Sequence, residues 1–153
     1  LTTSPPSDVV GLLSQVTDVV ENTMDGTSGA LYAIFLNNLT HYFKLRTNES
    51  TSINAGFWIE ALTSTLASLS KYTPADVGDR TMMDALIPFV LALKTSGDLK
   101  QAAQAAKEGA LKTMSMRPGL GRTVYIGNED TWMGKIPDPG AWGLKVFFEG
   151  LAE

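Results

Sequence analysis

The sequence predicts an all-α fold, and three observations carry that expectation. Apolar residues recur at three- and four-residue spacing along most of the 153 positions, which gathers them on single helical faces. No segment sustains the two-residue alternation of a half-buried strand. The stretch from Leu99 to Met114 lines its apolar stripe with alanines, which lets neighbouring helices approach closely. At this length one domain is the natural expectation.

The elements follow in chain order. Ser7 can cap a first helix whose face is Val9, Leu12, Leu13, Val16, Val19 and Val20, ending near Met24 because Asp25-Gly26 is a turn signal. A second helix is expected from Ser28 to about Arg46, burying Leu31, Ile34, Phe35, Leu39, Tyr42 and Phe43. The polar connector 48–52 offers Thr51 or Ser52 as cap for a third helix. Its face is Trp58, Leu62, Leu66 and Leu69, and it stops before Thr73-Pro74. A fourth helix follows Asp79, with Met82, Leu86, Phe89, Val90 and Leu93 inward and Pro88 expected to kink it or to break one backbone hydrogen bond. After the turn 95–98 the fifth helix presents Leu99, Ala102, Ala103, Ala106, Ala110 and Met114. It ends at Arg117-Pro118-Gly119. Residues 121–137 read as an ordered loop or short helix. Asp138-Pro139-Gly140 opens a final helix, Pro139 suiting its first position, with Trp142, Val146, Phe147 and Leu151 expected inward.

Composition excludes several chemistries. The chain has no Cys, so it lacks disulfides, thiolate metal ligands and cysteine nucleophiles. His41 is the single histidine, mid-helix beside Tyr42 and Phe43, and reads as structural. Twelve basic against 16 acidic residues give a net charge of −4, against the clustered positive charge of a nucleic-acid surface. No apolar run reaches the ~20 residues of a membrane span. The sequence opens on Leu1 and a polar, Pro-containing stretch, which reads as cut from something longer.

Three islands stand out from a plain helical bundle. Asp25-Gly26-Thr27-Ser28-Gly29-Ala30 runs directly into a helix. Unpaired backbone N–H groups there can hold an anion, with Thr27 and Ser28 adding hydroxyls; a simple capping turn is the other reading. In Gly78-Asp79-Arg80-Thr81-Met82-Met83-Asp84, Asp79 is a candidate cap, and Arg80 and Asp84 can pair at i, i+4 on the helix surface. A ligand-binding reading has Gly78 admitting a ligand, Thr81 offering a hydroxyl and Met82 an apolar wall. Gly121-Arg122 and Pro137-Asp138-Pro139-Gly140 form the third: an arginine fork suited to phosphate, and a second anion-facing helix start or an ordinary tight turn.

Together these stretches resemble the nucleotide-binding domain of dihydroxyacetone (glycerone) kinases, the DhaL-type or L domain. The matching elements are Asp25 to Ala30, Gly78 to Leu86, the Gly-Arg-x-x-Tyr of Gly121 to Tyr125, and the Asp-Pro-Gly-Ala of Asp138 to Ala141. They run in order over residues 8–153. The resemblance implies a barrel of antiparallel α-helices with nucleotide at one rim, residues 1–153 being one such domain, incomplete at its N-terminus. It also implies that Thr27 and Ser28 contact phosphates, Met82 packs on the base, and Arg122 with Asp138, Pro139 and Gly140 closes around the nucleotide. Thr73 stands near where relatives often have a glycine close to the base.

One departure bears on catalysis. The family carries an upstream Gly-Asp-Gly-Asp-type loop whose aspartates hold Mg²⁺ on the ATP phosphates, and nothing before Asp25 resembles it. Since phosphoryl transfer depends on metal, no catalytic residue and no metal ligand is expected within 1–153. The segment alone should be inactive, bind ADP weakly or not at all, and tend to self-associate. The implied parent is a cytoplasmic kinase whose substrate sits on a separate dihydroxyacetone-binding K-type domain of the same polypeptide. A free-standing ADP-binding subunit recharged by a phosphotransferase partner, or a helical interaction module without chemistry, are the alternatives.

Overall fold

The computed structural model describes residues 8–47, 51–120 and 129–153, and these are helical with short connections and no strand among them. The helices are α1 (Val9–Thr23), α2 (Gly26–Arg46), α3 (Ala55–Leu69), α4 (Met83–Ser96), α5 (Leu99–Lys112), the short α6 (Glu129–Trp132) and α7 (Pro139–Leu151). A single 3-10 turn, Thr113–Ser115, extends α5. The all-α expectation holds. The chain divides into two units, Leu1–Tyr72 and Thr73–Glu153.

In the first unit, α1, α2 and α3 share a core of Leu13, Leu39, Tyr42, Phe43 and Ala61. Phe43 is wholly buried and meets Trp58 at 4.7 Å and Phe57 at 5.0 Å between ring centroids. Burial of one such ring stabilises by about 2–3 kcal/mol. The caps differ from those expected. Asp8 caps α1, accepting from the Gly11 amide at 2.8 Å, while Ser7 lies outside the described residues. Asn54 caps α3 in place of Thr51 or Ser52, accepting from Phe57 at 3.0 Å, because its side chain sits immediately before the first helical residue. On α1 the buried positions are Leu13 and Thr17, and Leu12, Val16 and Val19 are 40–47% exposed.

In the second unit, α4 and α5 form a hairpin. Gly97 turns it with φ +67°, and Asp98 caps α5 through the Lys100 amide at 2.8 Å. All five expected residues of the fourth helix's inner face are buried, as are Ala102, Ala103, Ala106 and Ala110. The alanine stripe allows a backbone-to-backbone approach at Gly109, where a Cβ would overlap the Asp84 carbonyl oxygen. Pro88 explains why that oxygen is available: it lacks the N–H that would bond Asp84 within α4. The Gly109 Cα–H faces the carbonyl in its place, a weak hydrogen bond.

Helix α7 departs most from expectation. Its buried residues are Ala141, Leu144 and Phe148, with Phe148 stacked on Phe89 at 3.7 Å between centroids. Trp142, Val146, Phe147 and Leu151, expected inward, are 40–59% exposed. The packed stripe is the 141, 144, 148 row, so Trp142, Val146, Phe147 and Leu151 fall on the other faces of the helix.

Candidate functional site

Each unit contributes one candidate patch. In the first, α1 ends at Thr23 and α2 begins at Gly26, with Gly26 at φ +76°, a value that favours glycine. Gly29 is buried, and a Cβ there would overlap the Met24 carbonyl oxygen, so only glycine lets α2 start this close to α1. The helix starts two residues earlier than expected, which places Thr27 and Ser28 in its first turn, both exposed. Asp25 makes no side-chain cap hydrogen bond, and the first turn carries no acidic residue. This 21-residue helix therefore presents its positive end with N–H groups that the Asp25 side chain does not cap. Two hydroxyls flank them.

In the second unit, the site is built on the loop from Asp76 to Met82. Asp84 is fully buried and its two carboxylate oxygens accept from the Gly78 amide at 2.7 Å and the Thr81 amide at 2.8 Å. Thr81 Oγ1 accepts from the Met83 amide at 3.1 Å, and with the Asp84 bond to the Thr81 amide this makes a variant of the capping box, the hydroxyl taking the second helical amide in place of the third. The cap is thus Thr81 and not Asp79, whose carboxylate accepts from the Asp76 amide at 2.8 Å and closes the preceding turn. The expected surface pair of Arg80 and Asp84 is also absent. Helix α4 starts at Met83, so Arg80 precedes it, 3% exposed and with φ +58°.

Arg80 reaches across the unit instead. Its Nε donates to the Thr113 carbonyl at 3.1 Å, a terminal nitrogen donates to the Ile136 carbonyl at 2.8 Å, and its guanidinium lies 4.4 Å from the Trp132 ring centroid. The Asp138 amide donates to Thr113 Oγ1 at 2.7 Å, and Asp138 Oδ2 accepts from the Ala141 amide at 2.9 Å as the cap of α7. The consequence is a meeting of two motifs. A Cβ on Gly140 would come within 3.2 Å of Met82 Cβ and 3.5 Å of Met82 N. Met82 itself is buried, Pro139 is exposed at the first position of α7, and Gly140 lies between them in accessibility.

Met82, Asp138, Pro139 and Gly140 are therefore brought together, while Thr27 and Ser28 belong to the other unit. Arg122 lies outside the described residues. Gly119 donates its N–H to the Asp79 carbonyl at 3.4 Å. Thr73 Oγ1 accepts from the Ala75 amide at 3.1 Å. Sequence reading missed the Thr81–Asp84 box and the hub role of Arg80. The first had a local signal, Thr-x-x-Asp before an apolar run; the second depended on partners 33 and 56 residues away.

Burial raises the Asp138 carboxyl above its ordinary value of 3.8, against the pull of the Ala141 amide and the Arg80 charge, and Asp84 adds to the upward push. A carboxyl whose native pKa is raised binds more protons folded than unfolded. Its contribution to stability is full at low pH and falls as pH rises from the ordinary value through the raised one. Asp138→Asn keeps an acceptor for Ala141 and removes that titration. In chemical unfolding across the acid range, wild type should lose stability relative to this variant as pH rises; a pH-independent difference contradicts the assignment.

The described residues are helical, and in the second unit two short motif-bearing loops are locked against each other by buried polar contacts. The family model for the DAK2 domain matches residues 1–153. The chain belongs to that family. It is 42% identical over 154 residues to the dihydroxyacetone kinase of Pichia angusta, covering 96% of this chain and 25% of the relative. It is similar to the crystal structure of the dihydroxyacetone kinase of C. freundii in its native form, with TM-score 0.69 and 30% identity over 94% of this chain and 23% of that one. The same enzyme in complex with AMP-PNP and Mg²⁺ gives TM-score 0.66, also at 30% identity with the same coverage. The chain spans about a quarter of the length of these relatives. No helix among the described residues is long and apolar enough to cross a membrane.

Proposed function

We propose that this chain is the nucleotide-binding part of an ATP-dependent dihydroxyacetone (glycerone) kinase. A substrate hydroxyl attacks the γ-phosphorus of ATP, the bond to the β-phosphate oxygen breaks, and ADP leaves. The acceptor, a short ketose or aldose, is bound on a separate K-type domain of the same polypeptide, in the cytoplasm. The observation that carries this reading is the meeting of Met82 and Gly140, which joins the two most specific motifs of the sequence at one point.

Roles follow from local chemistry. Thr27 and Ser28, with the first amides of α2, donate to phosphate oxygens, because that terminus combines N–H groups, hydroxyls and the positive helix end. Met82 offers its polarizable side chain to the base. The Asp138-Pro139-Gly140 turn and Arg122 close around the nucleotide. Among the described residues no group of three or more His, Cys, Asp and Glu could hold a metal ion. The half-exposed apolar faces of α1 and α7 support association, either with other parts of the polypeptide or as a homo-oligomer.

The test is ADP release by the intact polypeptide with ATP, Mg²⁺ and dihydroxyacetone. Release that saturates in both substrates is expected. Release no faster than without dihydroxyacetone contradicts the reading.

A further inference from the structure

Arg80 combines two costs that an ordinary core residue avoids. It holds a guanidinium 3% exposed, and its backbone sits at φ +58°, a left-handed value disfavoured for residues with a Cβ. A Met or Leu would fill similar volume without the charge. What an apolar side chain could not supply is the set of contacts described above: a planar fork donating in two directions to the Thr113 and Ile136 carbonyls, with its face against Trp132. Both carbonyls belong to segments that lead to Asp138. Ile136 is two residues upstream of it, and the Thr113 hydroxyl takes the Asp138 amide hydrogen at 2.7 Å. At its other end Arg80 is fixed by its neighbours, since Asp84 grips the amides of Gly78 and Thr81 on either side. Met82 follows two residues later.

We propose that Arg80 is the positioning residue that sets the distance between Met82 and the Asp138-Pro139-Gly140 turn, and so sets nucleotide affinity without touching the nucleotide. The proposal rests on the nucleotide-binding reading above. Its mechanism is mechanical: Gly140 sits near enough to Met82 that an added Cβ would lie 3.2 Å from Met82 Cβ, so a small shift of the turn changes the wall that the nucleotide meets. Arg80→Lys keeps the charge but loses the fork. Thr113→Val breaks the same linkage by a second route, removing the acceptor for Asp138 while conserving volume. Thr113→Ser retains the hydroxyl.

The experiment measures steady-state kinetics of the intact protein and its three variants. For Arg80→Lys and Thr113→Val the KM for ATP should rise about 10- to 100-fold, with the KM for dihydroxyacetone unmoved. Thr113→Ser should stay close to wild type. A purely structural role for Arg80 would lower the yield of active enzyme and the melting temperature but leave the KM for ATP in place, and that outcome overturns the proposal. If Arg80→Lys does not fold, Thr113→Val decides: an unchanged KM for ATP overturns the proposal, and a raised one restored by Thr113→Ser upholds it. Wild-type protein that neither binds nor consumes ATP overturns the underlying reading and this proposal with it. Wild-type activity with unmoved KM in both variants overturns this proposal alone.

Discussion

Asp84→Ala is expected to lower the unfolding free energy by about 3 kcal/mol and to remove nucleotide binding with it. The carboxylate is fully buried and is the acceptor for two backbone amides, Gly78 and Thr81. Alanine leaves both donors without that partner and opens a polar-lined space. Each loss falls on the loop that delivers Met82. Asp84→Asn retains one acceptor oxygen and should fall between wild type and alanine. Denaturant unfolding gives the stability change, and ADP titration reads the loop. A change within about 0.5 kcal/mol for Asp84→Ala, the range of ordinary surface substitutions, contradicts the account.

Gly109→Ala should cost a similar amount, about 3 kcal/mol, through a different cause. The added Cβ would overlap the Asp84 carbonyl oxygen and lie 3.0 Å from its carbon and 3.3 Å from Pro88 Cγ. The obstacle is helix backbone, which cannot rotate aside as a long side chain does. Relief requires α4 and α5 to separate along a seam whose other contacts are fully buried alanines, Ala102, Ala106 and Ala110. Helix propensity favours alanine over glycine by about 1 kcal/mol, so a measured loss is a lower bound on the packing penalty. Thermal unfolding of Gly109→Ala that matches or exceeds wild type would show that the two helices are not seated as described.

These two positions mark what the sequence could and could not disclose. Helix positions were legible because turn chemistry punctuates the chain: Asp25-Gly26, Ser96-Gly97-Asp98 and Asp138-Pro139-Gly140 all fall at helix ends. The inner face of α4 was legible because large apolar residues mark it. On α7 the same logic misled, since large apolar residues lie all round the helix and Ala141, Leu144 and Phe148, not Trp142, Val146 and Phe147, form the packed row. Arg80 was read as helical because Asp79 is a good cap, whereas the Thr81–Asp84 box starts the helix later and frees Arg80 to turn inward. Nothing local in the sequence specifies that its acceptors lie on Thr113 and Ile136. Of the site residues, Met82 and Asp138 to Gly140 are brought together. Thr27 and Ser28 sit in the first turn of α2.

The claim that this domain binds nucleotide is tested most directly by calorimetric titration of ADP with Mg²⁺ into the intact polypeptide, alongside a Thr27→Val, Ser28→Ala double variant. The account expects one saturable site in the wild type. The variant should bind about 10-fold more weakly, because two hydroxyl donors to phosphate are gone while the fold is untouched. No saturable binding in the wild type would contradict the account outright. Equal affinity in the variant would remove the N-terminus of α2 from the site.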